Sequence, residues 1–140
     1  MPEESIPELP TTVGSTESIA RYLTHSNHYH RQDQTVSWRA FKPPQDLRLS
    51  VFRIDGLSTE NIWEIGQVNV VERMTPPGNL HGVGKIQASD VRELHLDIDP
   101  DNSPSRHACI VGWPEGDEEK HKRMSLAQEL AAVTTLVLRS

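Results

Sequence analysis

Apolar and polar positions along this chain follow two rhythms, and the rhythms mark out its elements. Gly14-Ser15-Thr16 supplies a helix cap with Glu17 in the first turn. Ile19, Tyr22 and Leu23 then share a helical face, which predicts a first helix fading at Thr24 to Asn27. From Val36 to Phe41 the period drops to two, with Val36, Trp38 and Ala40 set against Ser37, Arg39 and Phe41. Pro43-Pro44-Gln45-Asp46 reads as a turn. Leu47 to Ile54 alternates again, with Leu47, Leu49 and Val51 on one face and Ser50, Phe52 and Ile54 on the other. The two runs together predict an antiparallel hairpin.

Further on, Asp55-Gly56 stops the strand and Ser58 caps a short helix carrying Ile62, Trp63 and Ile65, with Gly66 as its C-terminal stop. Gln67 to Met74 reads as a strand and Thr75 to Gly84 as a loop. Ser89 to Leu94 is a helical turn, and His95 to Ile98 a short strand closed by a proline-containing turn over Asp99 to Pro104. His107 to Gly112 is almost continuously apolar or small, as a strand covered on both faces would be. Asp117 to Ala132 is a helix whose buried stripe is Met124, Ala127, Leu130 and Ala131. Thr134 to Leu138 is β-branched enough to close the sheet, a helical continuation being the alternative. The sum is a single α+β domain over residues 14–140, with a mostly antiparallel sheet, a β-hairpin and three to four short helices. Residues 1–13, with three prolines and three glutamates, read as a disordered or loosely docked arm.

Composition narrows the classes. With 14 basic and 20 acidic residues the net charge is −6, which opposes nucleic-acid binding, since that needs a positive surface to displace counterions. Cys109 is the sole cysteine, so no intrachain disulfide and no cysteine-based zinc site can form. The acidic start Met-Pro-Glu-Glu-Ser is unlike a signal peptide, and the apolar run Leu130 to Leu138 is too short to span a membrane. These features predict a soluble cytoplasmic protein without a membrane role. No cofactor motif is found: around Gly82-Val83-Gly84-Lys85 the spacing of a phosphate loop fails, because Asn79 stands where it needs a glycine and Ile86 where it needs Ser or Thr.

Polar residues inside apolar strands carry the candidate chemistry, because a buried polar group must be paired or be put to use. Ser50 and Arg53 interrupt the run from Leu49 to Ile54, and His107 opens the later strand. His107 suits a general base or, alternatively, a donor that shapes the Asp99 to Pro104 loop. Arg53 suits an anion clamp or a structural pair to a carboxylate such as Asp97 or Asp99. Phe41 and Trp113 flank these segments as binding residues. His25, His28 and His30 form a candidate metal cluster set against a bland role in capping a polar helix exit. Asp97, Asp99 and Asp101 alternate, which fits a cation site or an ordinary strand exit.

Ala40-Phe41-Lys42-Pro43-Pro44, Leu49-Ser50-Val51-Phe52-Arg53 and His107-Ala108-Cys109-Ile110-Val111-Gly112-Trp113-Pro114 together resemble segments of a group of short bacterial proteins without an assigned activity. The resemblance runs from about Ile19 to Leu138 and implies a bacterial or phage origin. If these segments line a shared pocket, Phe41, Ser50, Arg53 and His107 lie in it. Three functions follow as expectations. The first is a small accessory protein that binds a protein partner. The second is an enzyme with a His107-centred pocket for a nucleotide-like or phosphate-containing substrate. The third is a metal-binding protein.

Overall fold

A computed structural model describes residues 12–139. In chain order the elements are β1 (Ser18–Leu23), the two-residue strands β2 (Tyr29–His30) and β3 (Thr35–Val36), β4 (Leu49–Arg53), α1 (Thr59–Asn69), β5 (Gly82–Gln87), α2 (Ala88–Glu93), β6 (Asp97–Pro100), β7 (His107–Val111), α3 (Lys120–Ala132) and β8 (Thr135–Leu138). Short 3₁₀ turns lie at Trp38–Phe41, Val71–Arg73 and Asp117–Glu119. The fold is α+β, as the patterning predicts. A six-stranded sheet in the order β6-β7-β4-β1-β5-β8 is antiparallel throughout, and β2 and β3 form a separate hairpin.

The sheet has two covered faces. On one, Ile19, Leu23, Leu49, Val51 and Ile110 pack with Phe41, with α2 through Val91 and with α3 through Ala127 and Leu130. On the other, Ala20, Tyr22, Phe52 and Val83 pack under Ile62 of α1. Each fully buried Leu, Ile or Phe contributes about 2 kcal/mol of transfer free energy.

Several local expectations are corrected. Residues 18–23 form a central strand instead of a first helix. Both its faces are covered, so apolar residues stand on each, and Ile19, Tyr22 and Leu23 mimic a helical stripe. The hairpin is not built from residues 36–41 and 47–54. Trp38–Phe41 is a 3₁₀ turn capped by Ser37, whose hydroxyl accepts from the Arg39 amide, and β4 pairs with β1 and β7. Gln67 to Asn69 continues α1, which leaves no strand there. Gly66 lies inside α1 because the helix sits close on the sheet: a Cβ there would stand 2.5 Å from Tyr22 Cε1. Thr134 to Leu138 does close the sheet, as β8 beside β5. Residues 1–11 of the acidic arm lie outside the described residues, and its last residue, Val13, is buried in the core. The Arg92 guanidinium holds the Val13 carbonyl at 2.6 Å.

Candidate active site

The site begins with a failure of strand pairing. β1 pairs with β5 over six residues but with β4 over only two, Ile19↔Arg53 and Ala20↔Phe52. Beyond Phe52 the two strands part. Arg21 spans the opening: its Nε donates to the Ala40 carbonyl at 2.7 Å and its Nη1 to the Ser50 carbonyl at 2.9 Å. Among the described residues no carboxylate balances this guanidinium, and burial pushes its pKa down to about 10. On the α1 side the gap opens into a cleft of about 190 Å³ lined by Tyr22, Ser50, Phe52, Asn69, Val70, Arg73 and Met74.

Ser50 meets His107 on that face. Register sets Ser50 opposite Cys109 and Phe52 opposite His107, so Ser50 and His107 are diagonal neighbours. Ser50 Oγ lies 2.7 Å from His107 Nε2. The Phe52 ring meets the imidazole edge-on, with centroids 5.2 Å apart. His107 Nδ1 in turn lies 2.7 Å from Asp101 Oδ1.

The loop before β7 builds this second contact. Both the Asp101 and Asn102 amides donate to the His107 carbonyl, and the His107 amide donates to Pro104. Asn102 and Arg106 take left-handed φ values of 50° and 73°, which fold the loop back on itself. Asp101 Oδ1 also accepts from the Ser103 amide. Burial pushes the Asp101 carboxyl up, but the bonds from His107 and Ser103 outweigh it and hold its pKa below the ordinary value. An ionised Asp101 fixes the imidazole proton on Nδ1 and leaves Nε2 to accept from the Ser50 hydroxyl. The arrangement is a serine–histidine–aspartate relay.

Two uncommitted polar side chains line the same cleft. Neither the Asn69 amide nor the Arg73 guanidinium has a hydrogen-bond or ion-pair partner among the described residues. They sit at the end of α1 and in the following 3₁₀ turn, a stretch that reads as a strand from sequence, and no spacing in the sequence signals them. Asp101 carries a legible signal: an Asx turn ending just before a strand-opening histidine.

The other candidates lie elsewhere. Arg53 points to the opposite face of the sheet, fully buried, with Nε 2.5 Å from Glu17 Oε1 and Nη2 3.0 Å from Glu17 Oε2. Its partner is Glu17 and not Asp97 or Asp99, which pair instead with Arg92 and Arg48. Phe41 is fully buried and Trp113 is 3% exposed, so both are core residues without a surface to offer a ligand. Trp113 Nε1 donates within the core to the Ile110 carbonyl. His25 and His28 stack edge-on at 5.0 Å, and His28 Nδ1 accepts from the Thr24 amide. His30 is exposed on β2, and among the described residues no group of three or more His, Cys, Asp or Glu is placed to hold a metal ion. Cys109 is buried beside Ser50, and burial pushes its thiol pKa up, which keeps it protonated and unreactive.

Among the described residues no helix is long and apolar enough to cross a membrane. Compared with protein-family models, curated proteins and solved structures, the chain matches none.

Proposed function

We propose that this protein is a small hydrolase that cleaves carboxylic esters by nucleophilic catalysis at Ser50. The observation that carries the reading is the relay Ser50 Oγ–His107 Nε2 and His107 Nδ1–Asp101 Oδ1, each link 2.7 Å long, with the serine lining a cleft. Such a chain activates a serine that is otherwise a weak nucleophile. Ser50 Oγ attacks the ester carbonyl carbon while its proton passes to His107 Nε2. The same proton then goes to the departing alkoxide, leaving an acyl-serine that water cleaves by the reverse proton route. Asp101 keeps the ring oriented and stabilises the imidazolium. Arg73 and Asn69 are the donors within the cleft for the developing oxyanion.

Charge favours acyl over phosphoryl transfer. A phosphoryl group in flight spreads negative charge over several oxygens and calls for several cations. This cleft offers two cations, and only Arg73 has its donors free for a ligand, because Arg21 keeps its charge but is fixed on two backbone carbonyls; Arg53 faces the other way. About 190 Å³ with walls of Tyr22, Phe52, Val70 and Met74 suits a short apolar acyl group. The likeness of its segments to bacterial proteins implies a bacterial or phage origin. A protein-docking role has less support. Among the described residues the large apolar side chains left exposed are Val68 on α1 and Val133 after α3, which are isolated from one another on opposite sides of the sheet.

A fluorophosphonate probe tests the reading. It should label the wild-type protein on the peptide containing Ser50 and leave Ser50→Ala unlabelled. Hydrolysis of p-nitrophenyl acetate should fall about a thousandfold in Ser50→Ala and His107→Ala, and about a hundredfold or more in Asp101→Asn. Absence of labelling in a protein with a normal thermal melt sinks the proposal.

A further inference from the structure

A cavity larger than the cleft beside Ser50 lies away from the relay, on the opposite face of the sheet. It is a groove of about 630 Å³ between the segment Trp38 to Leu47 and the start of α3. Its apolar walls are Trp38, Pro43 and Met124. Three cations line it. Lys42 and Lys120 have no hydrogen-bond or ion-pair partner among the described residues. Arg123 is pinned by the Pro114 and Gly116 carbonyls at 2.7 and 2.8 Å, which fixes the guanidinium without neutralising it. Asp117 is the one carboxylate lining the groove, so the groove carries a net +2 in a chain whose net charge is −6. Uncompensated positive charge gathered in a concavity of an acidic protein is an anion-collecting field.

We infer that this groove binds a nucleotide, with its phosphate between Lys42, Lys120 and Arg123 and its base against Trp38. The volume decides against a bare anion: pockets for whole small molecules run about 300–1,000 Å³, far more than one phosphate fills. Trp38 and the adjoining prolines form the apolar wall of the groove, and the Arg39 guanidinium lies over the indole at 5.1 Å. Lysine ammonium groups act as point charges for phosphate, and the pinned arginine adds directed donors.

AMP is the probe, titrated calorimetrically with adenosine and inorganic phosphate as comparators. AMP should bind with Kd below about 1 mM, with adenosine and phosphate each at least about tenfold weaker. Lys42→Glu combined with Lys120→Glu should weaken AMP binding by about a hundredfold or more, because two attractive charges become repulsive. Both lysines are solvent-facing, so this variant should melt as the wild type does. Trp38→Phe should retain AMP binding and Trp38→Leu should lose about tenfold. Failure to detect AMP binding at about 5 mM, equal affinity for AMP and phosphate, or AMP affinity unchanged in the double lysine variant would each overturn the inference.

Discussion

Arg53 and Ser50 stand three residues apart on β4 and point to opposite faces of the sheet, and each solves the cost of a polar group in a strand differently. Arg53 is 0% exposed, and its Nε and Nη2 both donate to Glu17, with further bonds from Nη2 to the Thr12 carbonyl and from Nη1 to Asn102. Burial pushes the Glu17 carboxyl up, but the bonds from Arg53 and the Gly14 amide, together with the charges of Arg53 and Arg106, win and hold its pKa below the ordinary value. This is a closed ion pair that ties β4 to the turn before β1. Ser50 meets an imidazole with a cleft in front of it. A carboxylate partner consumes the capacity of an arginine, whereas a histidine partner gives a serine somewhere to send a proton. Chemistry follows from the partner and the open volume, not from the mere presence of a polar residue in a strand.

The sharpest way to break this contrast is to unpair each side. Glu17→Ala removes the carboxylate that meets Arg53 Nε and Nη2 in the buried sheet and should cost about 3 kcal/mol in urea denaturation. Ser50→Ala removes one half-buried hydroxyl and should cost no more than about 1 kcal/mol, while abolishing probe labelling. If Glu17→Ala proves nearly neutral and Ser50→Ala strongly destabilising, the roles assigned to the two faces are reversed.

Close packing over the relay face comes next in size. Gly66→Ala places a methyl within 2.5 Å of the Tyr22 ring, whose hydroxyl donates to the Ile62 carbonyl at 2.6 Å. The helix cannot retreat without straining that bond, so the substitution should cost about 1–3 kcal/mol despite the gain in helix propensity. A stabilised Gly66→Ala protein would mean that α1 sits further from the sheet, and that the cleft beside Ser50 is wider.

Gly66 also marks where sequence patterning stops being informative. Its residue type fits a helix stop as well as a helix pressed on a sheet, and only the tertiary contact with Tyr22 separates the two. The strand at 49–53 is legible from its alternation, the strand at 107–111 from its continuous apolar run, and the helix at 120–132 from its acidic start and the stripe Met124, Ala127, Leu130 and Ala131. Alternation placed Ser50 and Arg53 on opposite faces, but it could not supply register, and register is what sets Ser50 diagonal to His107. Reading 18–23 as a helix hid Glu17, so Arg53 lacked its true partner. The Trp38–Phe41 turn escaped because four residues cannot distinguish a period of two from a period of three.

The pH dependence separates the core from the site. His28 is buried, and desolvation, with the nearby charges of Arg21, His25 and His81, pushes its pKa down to about 4. The unfolded chain takes up a proton near the ordinary value of 6.5, so between these values it binds more protons than the folded protein. The contribution is therefore complete above pH 6.5 and is lost as pH falls towards 4, by roughly 2 kcal/mol at pH 5. His28→Asn keeps an acceptor for the Thr24 amide without titrating, and should flatten this slope in melts run from pH 7.5 to 5. A slope unchanged in His28→Asn would assign it to other groups.

The smallest effect belongs to the pair beside the relay. Arg48 Nη2 meets Asp99 Oδ2 at 2.8 Å, with side chains 42% and 53% exposed. Solvent and salt screen such a pair, and holding two long side chains together costs entropy, so Arg48→Ala should melt as the wild type does. Asp99 faces Cys109 across β6 and β7, next to the diagonal that joins Ser50 to His107. If the relay depends on its own three residues, fluorophosphonate labelling of Arg48→Ala should match the wild type at low and high salt. A labelling rate that drops with Arg48→Ala while the melt stays put would instead bring the whole polar end of this face, and not the Ser50 diagonal alone, into the site.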